Sequence, residues 1–429
     1  MKCETELYPI FQKHPIVSTD SRSCPPNAIF FALKGENFDG NDYVEQVLEA
    51  GAAYAVSDRA GENRDERVIL VDNVLQSLQD LAAYHRRQMP AQIIAITGSN
   101  GKTTTKELIA NALLSKYKIL YTQGNLNNHI GVPLTLLQLK PEHEYAVIEM
   151  GANHPLEIQQ LCRIAQPDFG LITNVGKAHL EGFGSFEGVI RTKTELYAYL
   201  EENGGMIFEN ANNPILNNLY QSVTRITYGT AAENFIQGQM LSSSPTLSLD
   251  WKYNSENQKL KTHLVGAYNF ENVLAAICIA SYFGVEVEKT NRAIAEYMPS
   301  NNRSQDMQTA INHVIMDAYN ANPSSMQAAL ENFKVLPLNP KMVILGEMYE
   351  LGEYCDEEHR NIVSILQTMT LDKIFLVGRA FKPFASETIQ CFDTTDEMLE
   401  YLQQHPLTNY HILIKGSRGN RLEKLIGFI

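Results

Sequence analysis

The chain has 429 residues, of which 44% are hydrophobic and 20% charged, a balance that excludes a disordered protein and indicates a globular one. At roughly 150 residues per domain, this length predicts about three domains. The formal net charge of −14 argues against a general nucleic-acid binder, which needs clustered basic residues to neutralise phosphates.

The cysteines and the first residues predict a reducing, cytoplasmic location. The six cysteines form no Cys-x-x-Cys pair, which argues against a zinc site and for reduced thiols; they are Cys3, Cys24, Cys162, Cys278, Cys355 and Cys391. The N-terminus has no apolar signal core, and the sequence contains no run of about 18 apolar residues. We therefore expect a cytoplasmic protein that does not insert into membranes.

Residues 1–87 are predicted to form a first, small α/β domain. Apolar runs of strand type alternate there with patterns of helix type, at 28–33 (strand), 43–50 (helix), 53–56 (strand) and 74–87 (helix). Pro90 separates this unit from the next apolar run.

The most informative segment is residues 92–114. Its first part, at 92–97, is a short apolar run that predicts a buried parallel strand. Gly98 and Gly101 then allow a tight turn, so that backbone N–H groups can point at an anion. A helix follows, and its positive N-terminus faces the same point.

The side chains of this turn predict a nucleoside triphosphate site. Lys102 adds a mobile positive charge, while Thr103 and Thr104 offer hydroxyls to a magnesium ion. The spacing departs from the Walker pattern, because only two residues, rather than four, separate Gly98 from the Gly101-Lys102 pair. Ile96 occupies the position of the first Walker glycine. The alternative is an ordinary glycine-rich turn between a strand and a helix.

Residues 88–302 are predicted to form the second domain. Strands at 93–97, 146–149, 170–173 and 205–208 alternate with helices, a pattern typical of parallel strands with helical crossovers. Ligands bind such sheets at the carboxyl ends of the strands, where polar motifs occur at 98–104, 149–153 and 174–179. Shorter β segments follow at 225–265, then a helix at 269–283 and a joint at 298–303.

Residues 303–429 are predicted to form the third domain. Strands and helices alternate again, at 313–316 (strand), 324–333 (helix), 341–345 (strand), 360–369 (helix), 373–377 (strand) and 412–414 (strand). This order predicts a second doubly wound domain, without a phosphate loop of its own.

Seven motifs resemble those of the Mur ligases of peptidoglycan synthesis. They are TGSNGKTT at 97–104, GNLNNHIGVP at 124–133, EMG at 149–151, NVGKAHLEGFG at 174–184, DAYNANPSSM at 317–326, LGEMYELG at 345–352 and KGSR at 415–418. The last three are most similar to the members that add D-alanyl-D-alanine to a UDP-N-acetylmuramoyl-tripeptide. The Asp-Asn-Pro-Arg signature of the preceding ligase is absent. The resemblance covers essentially the whole chain.

The resemblance implies a three-domain α/β fold. A small N-terminal α/β domain (1–87) would bind the UDP-sugar, UDP-MurNAc. A central P-loop-type parallel sheet with helices (88–302) would bind ATP and catalyse ligation. A C-terminal Rossmann-like doubly wound domain (303–429) would close on ATP and bind the incoming dipeptide. Ligation would proceed through an acyl phosphate, because a carboxylate is a poor acyl donor until it is phosphorylated.

The resemblance also implies an ATP-binding set. Lys102 would contact the β- and γ-phosphates, Asn272 would pair with the adenine edge, and Arg303 would reach the phosphates from the hinge. The whole set is Gly98, Ser99, Asn100, Gly101, Lys102, Thr103, Thr104, Asn272, Arg303, Asp317 and Tyr319. The chain departs from the family pattern at Tyr268, usually histidine, and at Asn302, usually glycine.

The implied catalytic residues are Lys102, Glu149, His179 and Lys193. Attacking and accepting groups are both anionic, so cations must screen them, and the resemblance implies two Mg²⁺ ions. The implied metal ligands are Thr103, Glu149, His179 and Lys193, the last as a carbamate formed with carbon dioxide. From sequence alone, Lys193 is predicted to be an exposed helix lysine, and the alternative for Glu149 is a helix N-cap or a surface salt bridge.

The implied substrate-binding residues lie in three places. Ser21 would meet the uracil edge, while Arg22 and Lys34 would meet the pyrophosphate. Two further groups would hold the peptide: Asn125, Asn127 and Asn128 along the sugar-peptide path, and Arg418 on a peptide carboxylate. Solvated charge pairs remain the alternative for Arg22 and Lys34.

Other functions stay open at this point. The nucleotide motif is shared with folylpolyglutamate synthases and with other Mur-type amide ligases, and a nucleotide-binding regulatory module without turnover is a rival of another class. We expect a monomer that binds UDP-N-acetylmuramoyl-tripeptide and D-alanyl-D-alanine. The third residue of the tripeptide, diaminopimelate or lysine, is left open.

Overall fold

The computed structural model of this chain describes residues 6–60, 65–220, 222–254, 256–299 and 302–429. Cys3, part of the predicted turn near residue 255 and the middle of the predicted joint at 298–303 lie outside the described residues. Three separate β-sheets of four, nine and six strands follow one another along the chain, each with its own helices. The predicted α/β fold of three parts is confirmed.

The first sheet is small and entirely parallel. Its order is β1-β2-β3-β4, formed by Val17–Ser18, Ile29–Phe31, Tyr54–Ser57 and Val68–Leu70. The helices are α1 (Tyr8–Lys13), α2 (Val44–Glu49) and α3 (Val74–Gln88). The predicted helix at 43–50 begins one residue later, because a 3₁₀ turn at Gly40–Tyr43 precedes it.

The central sheet is mixed. Its order is β13-β12-β11-β10-β9-β8-β5-β7-β6, and its strands are β5 (Gln92–Thr97), β6 (Ile119–Tyr121), β7 (Tyr145–Glu149), β8 (Phe169–Ile172), β9 (Met206–Asn210), β10 (Thr224–Gly229), β11 (Ile236–Ser242), β12 (Ser248–Tyr253) and β13 (Glu256–Lys261). The strands up to β11 are parallel. Strand β12 pairs antiparallel with β11 and with β13. The connections on both sides of β12 are too short for the crossover that a parallel pair needs.

Helices cover both faces of this sheet. They are α4 (Lys102–Leu114), α5 (Gly131–Leu136), α6 (Glu157–Ala165), α7 (Leu180–Phe183), α8 (Phe186–Glu202), α9 (Asn269–Tyr282) and α10 (Val287–Ala295). Strand β5 lies between β8 and β7, and Ile93, Ile94, Ala95 and Ile96 are fully buried there. The carboxyl ends of these three strands therefore meet at a switch in strand order, where open α/β sheets bind ligands.

The third sheet is parallel except for one edge strand. Its order is β14-β15-β19-β16-β17-β18, formed by Gln305–Gln308, His313–Asp317, His411–Lys415, Lys341–Gly346, Lys373–Val377 and Ile389–Phe392 in that order. Only β14 pairs antiparallel among its described neighbours. The helices are α11 (Pro323–Val335), α12 (Cys355–Gln367) and α13 (Thr395–Gln404).

Helix α3 attaches the first sheet to the central one. Its Gln79 amide donates to the His129 carbonyl at 3.0 Å, and the His85 ring contacts the Leu139 carbonyl at 3.0 Å. Farther along the helix, Arg86 pairs with Asp168 at 3.0 Å. The helix thus belongs to the first unit by sequence but is anchored to the second along its length.

The sequence led us to expect no membrane-spanning segment and reduced cysteine thiols, and both expectations can be compared with the described residues. No helix among them combines the length and the apolar content that a membrane crossing requires. The cysteines Cys24, Cys162, Cys278, Cys355 and Cys391 are all free.

Candidate active site

A cleft of about 610 Å³ opens at the carboxyl ends of β5, β7 and β8, between the central and C-terminal units. It brings together most of the predicted nucleotide, metal and peptide residues. Those lining it are Ser99, Asn100, Gly101, Lys102, Thr103, Thr104, Asn127, Asn128, Glu149, His179, Asn272, Arg303, Asp317 and Tyr319. Residues separated by more than 200 positions in sequence therefore face one space.

The turn after β5 is fixed by the segment that follows β8. The Asn174 side chain accepts from Asn100 N at 3.0 Å, and its backbone carbonyl accepts from Ser99 N at 3.0 Å. The Thr173 hydroxyl donates to the Asn100 carbonyl at 2.6 Å. These bonds hold the turn in one shape before any ligand arrives, which favours anion binding by its free N–H groups.

Gly98 allows this close approach. Its φ is +139°, and a Cβ there would lie 2.1 Å from Thr173 Oγ1. We expect Gly98→Ala to weaken the binding of a non-hydrolysable ATP analogue by about 10- to 100-fold, because a backbone strain of about 1–3 kcal/mol adds to the clash and displaces the turn. Isothermal titration calorimetry measures this change.

Gly204 provides a matched control for Gly98. Its φ is +70°, but a Cβ added there would have no atom within 4 Å, and the residue is remote from the cleft in the turn before β9. Gly204→Ala is expected to lower thermal stability slightly and to leave nucleotide affinity unchanged. Equal loss of affinity in both variants would contradict the role assigned to the turn.

Lys102 folds back onto its own turn. Its Nζ donates to the Gly98 carbonyl at 2.7 Å and to the Ser99 carbonyl at 3.4 Å. Burial lowers the pKa of Lys102, while the charge of Glu149 opposes this shift. The amine is therefore costly to keep charged in the free protein, and an incoming polyphosphate would relieve that cost.

Glu149 lies at the end of β7 and is 1% exposed. Its Oε1 accepts from Asn127 Nδ2 at 2.7 Å and from the Thr103 hydroxyl at 3.3 Å, whereas its Oε2 has no hydrogen-bond partner. The nearest amine to Oε2 is Lys106 Nζ at 3.9 Å, which is likewise buried and without a hydrogen-bond partner. This carboxylate is oriented toward the nucleotide turn and retains a free oxygen.

Thr103 and Glu149 suit Mg²⁺ better than a transition metal. Mg²⁺ prefers oxygen ligands and is commonly held by one or two carboxylates together with substrate phosphates and water. No group of three or more His, Cys, Asp or Glu side chains able to hold a metal occurs in the described ranges. The hydroxyl and the unpartnered carboxylate oxygen therefore fit a metal that arrives with the nucleotide.

Lys193 is buried rather than exposed, although it lies on a helix. It is 1% exposed on α8, and its Nζ donates to the carbonyl of Ala152, a residue of the cleft wall, at 3.1 Å. Burial holds the pKa of Lys193 well below its ordinary value, and the charge of Lys102 lowers it further. The alternative of a solvated helix lysine is therefore wrong, and the amine favours its neutral form.

His179 lines the cleft from the loop after β8. Its Nδ1 contacts the carboxylate of Glu350, a residue of the C-terminal unit. The residue has a φ of +51°, a left-handed conformation that is uncommon outside glycine. Such a backbone geometry is maintained only where the surroundings hold it.

Tyr319 and its neighbours form the far end of the cleft. The guanidinium of Arg303 lies 3.6 Å from the centre of the Tyr319 ring, and the buried Arg303 Nε has no hydrogen-bond partner. Asn272 also lines the cleft, where its Nδ2 donates to Asn269 Oδ1 at 2.9 Å. A flat aromatic ring stacked on a cation, in a cleft that also contains a side-chain amide, is suited to a nucleoside.

Asp317 is paired with a lysine that the sequence did not single out as a site residue. Lys415 Nζ lies 2.6 Å from Asp317 Oδ2, and both residues line the cleft. Strands β15 and β19 are neighbours in register, so the two side chains leave the sheet at the same edge. Lys415 belongs to the KGSR motif, but its pairing with Asp317 could not be predicted without the strand order.

Further cleft residues were given no individual role from the sequence, although several lie in the motifs at 149–153, 174–179 and 317–326. They are Asn153, Glu157, Gln160, Asn174, Tyr268, Asn269, Ser304, Asn320, Asn322, Ser324 and Ser325. Asn322 shows their importance, because its Nδ2 donates across the units to Asn100 Oδ1 at 2.8 Å.

Several predicted residues lie outside the cleft. Lys34 pairs with Asp58 at 2.9 Å in the N-terminal unit. The predicted residues that do not line the cleft are Ser21, Arg22, Lys34, Gly98, Asn125, Lys193 and Arg418, although Gly98 and Lys193 adjoin it through the contacts above.

The structure gives some of these side chains other partners. Arg22, which is highly exposed, bonds Asp20 through two nitrogens. Asn128 Oδ1 accepts from Gly131 N, the first residue of α5, at 2.9 Å. Arg418 Nη1 donates to the Tyr319 hydroxyl at 3.4 Å.

Three family models match the chain in succession. They are the Mur ligase family, catalytic domain, over residues 14–86; the Mur ligase middle domain, over 96–280; and the Mur ligase, glutamate ligase domain, over 302–418.

Curated and solved relatives agree over nearly the whole length. A UDP-N-acetylmuramoyl-tripeptide–D-alanyl-D-alanine ligase of Bacillus subtilis is 35% identical over 96% of this chain and 92% of its own. A crystal structure of MurF from Acinetobacter baumannii is 30% identical with a TM-score of 0.86, covering 96% and 92% of the two chains. MurF ligase from Thermotoga maritima, solved with ADP, is 26% identical with a TM-score of 0.86, covering 100% and 98%.

Proposed function

This chain belongs to the Mur ligase family, and we propose from that premise how its cleft carries out the reaction. It is an ATP-dependent ligase that adds D-alanyl-D-alanine to UDP-N-acetylmuramoyl-tripeptide, a step in peptidoglycan precursor synthesis. The observation that carries the proposal is the convergence of the nucleotide turn, Glu149, His179 and the wall next to Lys193 on one cleft.

The nucleotide turn positions the triphosphate. The N–H groups at the N-terminus of α4 face the phosphates, because those of Ser99 and Asn100 are already bonded to Asn174. Lys102 leaves the Gly98 carbonyl to reach the β- and γ-oxygens. The substrate's terminal carboxylate attacks the γ-phosphorus, so an acyl phosphate and ADP form. Phosphoryl transfer needs mainly alignment and charge neutralisation, which this turn supplies.

Thr103 and Glu149 would hold one Mg²⁺, and His179 with Lys193 a second. Bound there, Mg²⁺ would neutralise the charge of the phosphates and of the attacking carboxylate. Glu149 contributes a carboxylate already oriented by Asn127, with one oxygen free. Asn127 would therefore orient the metal-binding carboxylate of Glu149 as well as line the path of the peptide.

Lys193 would serve as a carbamate. Its neutral amine attacks carbon dioxide, forms an N–C bond and loses a proton, which leaves an anionic oxygen ligand in place of a cation. The low pKa of the Lys193 amine, caused by burial, supports this reaction. The Ala152 carbonyl at 3.1 Å holds the nitrogen beside the cleft wall.

The amine of D-alanyl-D-alanine then attacks the acyl phosphate, and phosphate leaves. Arg418 would bind the dipeptide's carboxylate, while Arg303, Asp317 and Tyr319 would close over the nucleotide. Asn272 would contact the adenine edge. A closed cleft excludes water, which would otherwise hydrolyse the acyl phosphate.

The UDP-sugar would lie on the N-terminal unit. Ser21, Arg22 and Lys34 follow the carboxyl ends of its parallel strands, where a pyrophosphate finds exposed cations. Asn125, Asn127 and Asn128 would then line the path of the peptide toward Glu149.

We assign residues 1–87 to UDP-sugar binding, residues 88–302 to ATP-dependent ligation, and residues 303–429 to closure and dipeptide binding. We also propose a cytoplasmic monomer, in keeping with the free thiols and the ATP requirement.

Product analysis tests this assignment directly. The chain is incubated with ATP, Mg²⁺, D-alanyl-D-alanine and either the diaminopimelate- or the lysine-containing UDP-muramoyl tripeptide, and products are identified by mass spectrometry. We expect a pentapeptide product with one of the tripeptides, and ADP release only when both substrates are present. Equal turnover with glutamate and a folate would identify a polyglutamate synthase instead. Nucleotide binding without any new amide would contradict ligase activity.

A further inference from the structure

The loop that carries His179 is held by the C-terminal unit. Lys177 N donates to the Ser324 hydroxyl at 2.9 Å, and Lys177 Nζ lies 2.6 Å from Glu358 Oε1. Glu181 N donates to the backbone carbonyl of Glu350 at 3.1 Å. These contacts reach both sides of His179 in sequence, so its position depends on a unit that begins more than 100 residues later.

His179 itself contacts this unit through one ring nitrogen. Nδ1 meets the Glu350 carboxylate, while the ring lines the cleft. Both residues have left-handed backbones, with φ of +51° at His179 and +60° at Glu350. Two strained residues that face each other across a unit boundary indicate a contact that the rest of the fold maintains.

We propose that Glu350 is a positioning residue of the ligation site, which fixes the His179 tautomer by accepting its Nδ1–H and so leaves the Nε2 lone pair facing the cleft. A neutral imidazole protonates one nitrogen only, so a carboxylate on Nδ1 makes Nε2 the acceptor. Carboxylates play this part beside many metal-binding histidines. The inference rests on the role proposed above for His179.

This geometry links chemistry to closure. Glu350 reaches His179 only when the C-terminal unit lies against the loop, as it does through Ser324 and Glu358. When the units separate, His179 loses the partner that orients it, and the cleft lacks a correctly directed imidazole. Phosphoryl transfer would therefore be favoured only in the closed state, which limits unproductive use of ATP.

A double-mutant cycle tests the coupling. Loss of such an orienting carboxylate typically reduces activity about 10- to 100-fold, so we expect Glu350→Ala to lower kcat by that amount with little change in the KM of the dipeptide. Glu350→Gln keeps an acceptor oxygen and should retain most activity. In a His179→Ala background, Glu350→Ala should have almost no further effect. Glu353→Gln, an exposed residue of the same turn, is the control.

A spectroscopic measurement does not depend on turnover. In the full chain with an ATP analogue, ¹⁵N-labelled His179, assigned through His179→Gln, should show the Nδ1–H tautomer. Glu350→Ala should shift it toward Nε2–H. An unchanged tautomer, or an equal kcat loss in both backgrounds, would overturn the role of Glu350. Full activity in His179→Ala would instead refute the role proposed for His179, whatever its tautomer.

Discussion

Replacing Lys193 with alanine is expected to reduce ligation by about 1,000-fold or more while ATP-analogue binding stays within a few-fold. Lys193 is buried beside the cleft wall, and burial lowers the pKa of its amine, so it is available to react with carbon dioxide. Loss of one electrostatic group that acts in the transition state costs about 10²–10³-fold, and loss of a metal ligand adds to this. The kcat of ADP release with both substrates measures the effect.

Chemical rescue distinguishes a carbamate from a plain amine. Small carboxylic acids such as acetate or propionate can occupy the space that Lys193→Ala leaves, and they should restore part of the activity. Removing carbon dioxide from the native enzyme should lower activity, and bicarbonate should restore it. Lys289→Ala, at a lysine on α10 paired with Glu286, is the control. Unchanged activity in Lys193→Ala would eliminate the carbamate.

Lys102→Met is expected to lower kcat/KM for ATP by about 1,000-fold. Two unit charges about 4 Å apart interact by about 4 kcal/mol at an effective dielectric constant of 20, and about 1.4 kcal/mol corresponds to a factor of ten. Methionine matches the length of the side chain but cannot neutralise a phosphate. Steady-state kinetics and calorimetry with an ATP analogue measure the loss.

The same variant should not destabilise the free protein. Because burial lowers the pKa of Lys102, folding disfavours its charged form, and methionine removes that penalty. We expect the thermal midpoint to stay the same or rise. Lys259→Met, at an exposed lysine on β13, is the control and should change neither property. Retained ATP affinity in Lys102→Met would contradict the assignment of the turn.

Local sequence patterns predicted most of the fold. The apolar run of β5, its two glycines and the following helix are contiguous, so their geometry follows from neighbouring residues. The strands β1 and β4, of two and three residues, and the six-residue helix α1 were not predicted, because such short elements give too little periodicity. The antiparallel direction of β12 and β13 was not predicted, because it depends on which strands pair, and only the structure shows that.

Site residues that lie within sequence motifs were predicted. Site residues that depend on contacts between units were not. Lys102 and His179 follow strands and Glu149 ends one, so the rule for parallel sheets places them together. The burial of Lys193 could not be inferred, because helix spacing alone does not reveal which neighbours cover a face. Glu350 and Lys415 contact partners more than 90 residues away in sequence, which no local pattern encodes.

The anchoring of α3 has a consequence for the order of events. Gln79, His85 and Arg86 attach the N-terminal unit to the body that carries the nucleotide turn. A long acceptor lying across these two units would keep its alignment with the phosphates while the third unit swings. With the domain roles proposed above, we expect the largest substrate to bind in an open form, and the closure that follows to bring in only the small dipeptide.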